Sequence, residues 1–559
     1  MNEMVSKHIL GSNGLPMPKT GAVSFEAGSS TSHELSSWLP NLEHPDVEIG
    51  RGRDLMTARS RDLAHNNAWT NGAFRRHVDD AIGAQFKISV RLDHKALNVS
   101  REWATEAADV LEREFNSWAN DPRNVCDATE TTNFVGLIRT AYETRLKDGE
   151  AIALSHFRTR PGTKYRTAIQ VVHTDRLRNP MGRTNGKLPS GNYLRNGVEL
   201  GNRNQPVAYH FVENNPGVYN FKSVRIRRAT SWGRRKVIHH FERETADQTR
   251  GIGLAKAVVS KLKMLDRYER TELEAAFVNA IFAAFIESPM DQTFLMDQAT
   301  INEIGMSAYQ SHRSGYHDKK KYMMNGVQIP QLFPGEKFNF NTAARPSGNF
   351  GEFEAAVLRY VAAGLGQSYE QLTQDWTKTN YSSARAALLQ SWKFLTARRD
   401  LFVQGFVNQI WALWVEDALS LGVLKLPEGA VRFWDNPAAW CACKWIGPGR
   451  GWVDPVKEQT ASRMRVEDGI STLRDECAEL GGADWQEVLD QRAREIEYAK
   501  SIGLENQPSQ LGHNGGPAWG DQEEDEEDPP ETASDRISRL EAWALRARGM
   551  SEERIGLMQ

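Results

Sequence analysis

Leu254, Val258, Leu262, Leu265, Leu273, Phe277 and Ile281 fall on one face of a helix that runs to Ile286, where Ser288-Pro289 stops it. Thirty-three helical residues would be about 50 Å long at about 1.5 Å per residue. An element of that length exceeds an ordinary globular domain and has to be packed as part of a stalk or bundle. A second long helix follows from Ser383 to about Leu421, with apolar residues at Leu388, Leu395, Phe402, Phe406, Ile410 and Leu413. The polar, turn-like run Asp375 to Asn380 feeds it, and Ser382 and Ser383 are its candidate N-caps. Nothing in this stretch has the character of a catalytic motif.

Around these two helices the pattern changes several times. Residues 1–45 are rich in Gly, Ser, Pro and Asn and are expected to form a flexible arm. Helices are expected from Arg53, over Ala73–Ile82, Arg101–Trp118 and Phe134–Arg145. Ala151–Phe157, Thr167–Val172, Val207–Val212 and Lys236–Phe241 have the composition and punctuation of strands. Residues 287–345 mix a short polar helical stretch with strand-like Val327–Ile329 and Lys337–Phe340, and a further helix is expected over Phe350–Gly364. Beyond the second long helix, Leu426–Trp452 is loop-rich and dense in tryptophan, and Asp454 to about Ile502 is helical in pattern. The tail Gln507–Pro530 is rich in Gly, Pro and acids, with a short amphipathic helix expected over Ser534–Arg548.

Charge is unevenly placed. The net charge is −3, yet Arg158–Arg243 holds 18 Lys and Arg against the four acids Asp175, Glu199, Glu213 and Glu242, an excess of +14 in 86 residues. Asp521–Asp528 carries seven acids in eight positions, a run that repels itself and stays solvated. The basic stretch could meet DNA, meet an acidic partner, or form a solvated or inter-subunit face. Four cysteines in 559 residues give no disulfide framework and fit a reducing compartment. The longest apolar run, Ala275–Ile286, is twelve residues, too short to span a bilayer of about 30 Å. The N-terminus lacks the apolar core of a secretory signal, so no membrane association is expected.

Chemical motifs do not assemble. Cys441 and Cys443 are far in sequence from Cys126 and Cys477, unlike the paired spacing of a zinc site. His239 and His240, adjacent on an expected strand, face opposite sides and cannot share a ligand. There is no G-x-S-x-G elbow and no G-x-x-x-x-G-K-[ST] phosphate loop. Glu244 and Asp247 read as charge at the start of the following helix. Trp434, Trp440, Trp445 and Trp452 are not interleaved with basic residues as a base-stacking groove requires, and are assigned to core. No catalytic residue, metal or cofactor is expected.

The block Asn380-Tyr-Ser-Ser-Ala-Arg385 resembles the "NYSSAR" signature of the lambda-type phage portal proteins. Other blocks fall in the order of that family: Arg59–Asn67, Asp148–Ala153, Val172–Leu177, His240–Gly251, Leu332–Glu336 and Asp454–Glu458. Together they cover about Arg51 to Leu504. The resemblance implies an α+β portal fold: a wing over 46–250 with its basic β-rich part at 151–243, a first stem helix over 251–286 and a clip over 287–345. It continues with a second stem helix over 346–365, a tunnel loop over 366–382, a long kinked helix over 383–422 and a crown over 423–505. The acidic tail and terminal helix, 506–559, lie outside the shared core. It further implies a dodecameric ring at one capsid vertex that conducts double-stranded DNA and nucleates head assembly. The packaging terminase, head-completion or adaptor proteins, and capsid and scaffold proteins would be its partners. The expected location is the virion, with the host cytoplasm during assembly. Trp376, Lys378 and Asn380 become tunnel-loop residues facing DNA, and Arg313, Lys319, Lys320 and Lys321 the clip docking surface. The reading from a different class is a scaffold without a ring that binds nucleic acid through the basic module. Oligomeric state separates the two.

Overall fold

The computed structural model describes residues 37–213, 222–282, 322–324, 327–329, 350–377, 379–450, 455–481 and 484–501. The chain divides after Asp484 into two bodies, and the described part of the second is one helix, Trp485–Ser501. The architecture mixes helices with small antiparallel sheets, as expected for an α+β chain. No helix among the described residues is long and apolar enough to cross a membrane.

Helix α1 (Pro45–Asn66) starts at a proline in its first turn, with Asp46 and Glu48 beside its positive end. Asn67 does two jobs: its backbone N–H closes α1 on the Leu63 carbonyl, and its side chain accepts from Thr70 N to cap α2 (Ala68–Ala81). Ser100 and Asn133 cap α3 (Arg101–Ala119) and α4 (Phe134–Asp148) in the same way. These helices, with the later long helix, enclose the larger core. Phe115 lies at its centre, 5.1–5.8 Å in ring centroid distance from Trp411, Trp414, Phe134, Trp118 and Trp445.

Strand β1 (Lys87–Val90) and the late strand β12 (Cys443–Ile446) pair antiparallel, so distant parts of the chain close one small sheet. Strands β2 (Glu150–Phe157), β3 (Thr167–Val172) and β9 (Val237–Phe241) form a three-stranded sheet in the order β3-β2-β9. Its two faces serve two cores. Ala151, Ala153, Ile169 and Ile238 join the aromatic core, whereas Ile152, Leu154, Val172 and Val237 join a second cluster with Tyr209 and Phe211, the period-two alternation of a strand buried on both sides. The second cluster backs a five-stranded meander: β4 (Gly186–Lys187), β5 (Tyr193–Arg195), β6 (Val198–Leu200), β7 (Pro206–Val212) and β8 (Ser223–Arg227). A separate hairpin pairs β10 (Tyr322–Met324) with β11 (Val327–Ile329).

The first long helix departs from expectation. Leu254–Ala257 is a 3-10 turn, and α5 spans Val259–Phe282. Val258, Leu262 and Leu265 are buried, but Leu273 and Phe277 are 61% and 69% exposed. The reason lies in its partner, α6 (Phe350–Leu365). Tyr268 packs on Phe350 and Phe353, Lys261 lies over Tyr360, and a Cβ on Gly364 would touch Val258. The two helices therefore run antiparallel, and these contacts cover α5 only as far as Tyr268. Leu273 and Phe277, farther along the apolar stripe, stay largely exposed among the described residues.

The second long helix starts two residues earlier than expected. Its cap is Asn380, which accepts from Ser383 N at 2.8 Å; Tyr381, Ser382 and Ser383 are already helical. Asparagine caps as well as serine does, so the candidates Ser382 and Ser383 are displaced by the residue ahead of them. Helix α8 (Tyr381–Phe402) passes through a π turn at Val403–Val407 into α9 (Asn408–Ser420). Gly405 lies in that turn against the His240 ring, where a Cβ would come within 2.0 Å of Nδ1.

Candidate functional site

Helix α1 docks by a polar face. Its buried residues include Asp46, Arg53, Thr57 and Ser60, and Asp46, Arg53 and Arg61 recur at intervals of seven and eight. At 3.6 residues per turn that spacing puts the three charges along one face. Arg53 and Glu150 meet in the interior, with side chains 7% and 0% exposed. Glu150 accepts from Arg53 Nη2 at 2.8 Å, from Arg250 Nε and Nη2 at 2.5–3.0 Å, and from the Gly251 N–H at 3.1 Å. His239 Nε2 lies 3.1 Å from its other oxygen. Burial alone would raise the Glu150 pKa, but Arg250, Arg53 and His239 outweigh it and hold the carboxyl well below its usual range. Burial lowers the His239 pKa. A neutral ring facing a carboxylate must carry its proton on Nε2 and donate it.

Two turns along α1, Arg61 forks onto Asp148 (2.7 and 2.8 Å) and Asp175 (2.8 and 3.1 Å), and Thr174 Oγ1 donates to Asp148. Asp46 accepts from both the N–H and the hydroxyl of Thr249 at 2.8 Å. The backbones touch here as well. Gly149 has φ +86°, and a Cβ on it would meet Ile252 backbone atoms at 2.1–2.4 Å. A Cβ on Gly251 would meet the Gly149 carbonyl oxygen at 2.1 Å. Asp148-Gly-Glu150, Thr174-Asp175, Thr249-Arg-Gly251 and the arginines of α1 thus converge on a single joint between the helical core and the β-rich module.

Two further joints fix the same sheet. Asp417, fully buried on α9, accepts from Arg166 N and Nε and from Thr167 N and Oγ1 at 2.7–3.0 Å. Beside it Arg234 bonds the Leu413 carbonyl and Thr167 Oγ1 and pairs with Glu416. Glu242, just past β9, accepts from Arg145 and Arg398 at 2.9 Å each. The arrangement is one of charge fixing geometry.

Of the tunnel-loop and clip residues singled out in the sequence, Trp376 and Asn380 are among the described residues. Lys378 and the four clip residues Arg313, Lys319, Lys320 and Lys321 lie outside the described residues, as do 1–36 of the arm and 502–559 with the acidic run and the expected terminal helix. Trp376 is 36% exposed in a turn where Asp375 accepts from the Thr377 N–H and hydroxyl. Asn380 spends its side-chain oxygen on the helix cap. Between Leu365 and this turn there is a short capped helix, Tyr369–Thr373, in place of continuous loop. Trp440 and Trp445 are buried in the aromatic core, Trp434 is 46% exposed and packs against Gly233 and Phe433, and Trp452 is outside the described residues. Burial pushes the thiols of Cys441 and Cys443 up to about 12. Among the described residues no group of three His, Cys, Asp or Glu is placed to hold a metal. Glu244 pairs with Lys256, and Asp247 accepts from Asn204.

The basic stretch is partly answered in space. Among the described residues seven of its 18 cations pair with acids, and five of those acids (Asp46, Glu114, Glu130, Glu416 and Asp417) come from outside the stretch. A count along the chain could not see them.

The fold is tied together by buried ion clusters, and one of its two antiparallel helices leaves Leu273 and Phe277 exposed. Residues 31–399 match the family described as phage portal protein, lambda family. Portal protein B of Escherichia phage lambda is 31% identical over 503 residues, 89% of this chain and 93% of that protein. The portal protein of Escherichia phage N15 is 29% identical over 484 residues, 85% and 90% of the two chains. The probable portal protein of a Halomonas phage, phiHAP-1, is 25% identical over 506 residues, 89% and 92% of the two chains. Among solved structures, a chain from the neck of a native gene transfer agent particle gives a TM-score of 0.36 at 13% identity, covering 76% of this chain and 95% of that one. The chain belongs to the lambda family of phage portal proteins, and its function is that of a portal protein.

Proposed function

We propose that the chain assembles as a homo-oligomeric, dodecameric ring at one capsid vertex, conducts double-stranded DNA, and nucleates head assembly. The observation that carries this reading is the match to the portal family over residues 31–399. Within it, 46–250 is the wing, 251–286 and 346–365 the two stem helices, 287–345 the clip, 366–382 the tunnel loop, 383–422 the long kinked helix and 423–505 the crown. The stem supports the assignment physically. Leu273 and Phe277 on α5 and Phe353 and Tyr360 on α6 are about half exposed or more in the single subunit, and a closed heterologous interface is one place to bury such a surface.

A conduit must pass a polyanion without trapping it, because each neutralised phosphate adds salt-dependent affinity. Sparse contacts serve this better than a continuous basic wall. Trp376, Lys378 and Asn380 are assigned to the tunnel loop that meets DNA, with Lys378 as its cation. Arg313, Lys319, Lys320 and Lys321 are assigned to the clip surface that docks the terminase first and head-completion or adaptor proteins later. Capsid and scaffold proteins would meet the outer parts of the ring. This work calls on packing and charge, and no enzymatic step is assigned. The test is negative-stain microscopy of the purified full-length protein, with native mass for the subunit count. Rings with a central hole support the reading. A uniform monomer across protein concentration and salt would refute self-assembly of the isolated chain.

A further inference from the structure

Between the end of the three-stranded sheet and the last residues of β8 there is a cleft of about 580 Å³, lined among others by His156, Phe157, Arg227, Trp232, Arg235 and Lys236. No acidic side chain lines it. Arg234, which lines the cleft, is engaged by Glu416, and Arg166 by Asp417. The guanidinium groups of Arg234 and Arg166 also cover the Phe157 ring, 4.1 and 4.6 Å from its centroid.

Arg235, which lines the cleft, and its neighbour Arg228 break the pattern of the module. Its other buried or half-buried arginines each have an acceptor: Arg160 the Val125 carbonyl, Arg166 Asp417, Arg176 the Val212 carbonyl, Arg195 Asp46 and Arg234 Glu416. Arg228 and Arg235 are half-buried and have no side-chain hydrogen bond or ion pair among the described residues. The groups that face Arg235 are Arg228 and Tyr209, a like charge and a phenol. Holding Arg235 partly desolvated in the wall, with Arg228 as a like charge beside it and exposed Arg227 and Lys236 also lining the cleft, is unfavourable in the free protein. An anion from outside relieves it.

We propose that this cleft receives an extended, carboxylate-rich peptide segment of a partner protein, whose acids reach Arg227, Arg235 and Lys236. A peptide fits better than nucleic acid for two reasons. Strand β8 is the outermost strand of its sheet, so its outer N–H and C=O groups have no strand partner among the described residues, and a polypeptide can satisfy them along with the charges. A duplex offers its phosphates on a convex surface that cannot enter a concave site of this size. The proposal stands on the cleft alone and does not depend on ring formation.

The test is fluorescence anisotropy at low salt, titrating full-length protein into a short fluorescein-labelled peptide rich in Asp and Glu. Saturable binding is expected, weakened by about tenfold or more in Arg227→Gln/Arg235→Gln and in Lys236→Glu, since charge-assisted contacts are the strong ones. The control Arg183→Gln/Lys187→Gln removes two exposed cations outside the cleft and should bind as the parent does. Circular dichroism melts establish that each variant is folded. Equal affinity in parent and cleft variants overturns the proposal, and so does an equal loss in the control, which would indicate diffuse attraction. If labelled duplex DNA binds, loses affinity in the cleft variants and is not displaced by the peptide, the site belongs to nucleic acid instead.

Discussion

Glu150→Gln is the sharpest probe of how this fold is held together. Glutamine keeps the shape and the acceptor oxygen but removes the charge that Arg53, Arg250 and the His239 N–H converge on. Both guanidinium groups then remain buried, with side chains 7% and 4% exposed, and breaking a buried pair in this way costs about 3–5 kcal/mol. At roughly 2.1 cal/mol/K of unfolding entropy per residue, a body running from Met1 to Asp484 loses roughly 1 kcal/mol per kelvin near its midpoint. The substitution should therefore lower Tm by about 3–5 °C in a circular dichroism melt at neutral pH. The sign of the pH dependence follows from the depressed pKa of Glu150. Its contribution is complete above the unfolded value of 4.5 and is lost only as pH falls through the lower native value. The gap between parent and variant should thus persist down to pH 4.5 and close below it. A variant that melts within about 1 °C of the parent at neutral pH would refute the claim that this carboxylate is the centre of the joint.

Glu112, whose side chain accepts from Val90 N, has its pKa pushed up to about 7, first by burial and then by Asp484 and Asp109. The native state holds this proton between pH 4.5 and 7, so stability falls as pH rises across that window; Glu112→Gln should match the parent in urea melts near pH 4.5 and gain about 1–3 kcal/mol by pH 8. A variant that is less stable at pH 8 would contradict it. Asp417→Ala strands the N–H groups of Arg166 and Thr167 and should cost about 3 kcal/mol or more, with faster amide exchange at the start of β3 as the local sign. Asn380→Ala removes the cap of the long helix and should cost about 1 kcal/mol, read as faster exchange at the Ser383 amide and no change at Asp417. Gly405→Ala forces a methyl group against His240 and should cost about 1–3 kcal/mol; an unchanged Tm would mean that the π turn relaxes freely.

Periodicity made the helices legible. Arg101–Ala119, Phe134–Asp148 and Phe350–Leu365 differ by only a few residues from what the spacing of apolar side chains dictates. Strands β2, β3, β7 and β9 were legible for the same reason. Strands β1, β4, β5, β6, β8 and β12 were not, because two to five residues carry too little alternation to stand above chance. The Glu150 joint was hidden differently. A pattern reader takes the apolar side of a helix as its buried side, whereas α1 buries Asp46, Arg53, Thr57 and Ser60. The available signal was the recurrence of Asp46, Arg53 and Arg61 at intervals of seven and eight, together with glycines placed beside charges in Asp148-Gly-Glu150 and Arg250-Gly-Ile-Gly253. Short blocks that resemble a family without any catalytic logic are candidates for such joints.

The choice of charge over apolar packing at the joint has a physical consequence. A well-packed apolar contact of similar volume would be at least as stable, but it tolerates sliding and re-packing with little loss. Arg250 tolerates neither, because its fork must meet Glu150 and the Leu177, Asn196 and Thr174 carbonyls at once. With Asp417 on the start of β3, and Glu242 held by Arg145 and Arg398, the β-rich module is pinned to the helical core at three points. In the proposed ring each subunit must present its two contact faces at one fixed angle, because closure depends on that angle repeating without drift. Loosening the joint should therefore widen the distribution of subunit counts before it abolishes assembly. Native mass of Glu150→Gln rings, set beside the parent's, reads this directly. An unchanged, single subunit count in a variant that has lost its stability would separate the joint's contribution to stability from any contribution to ring geometry.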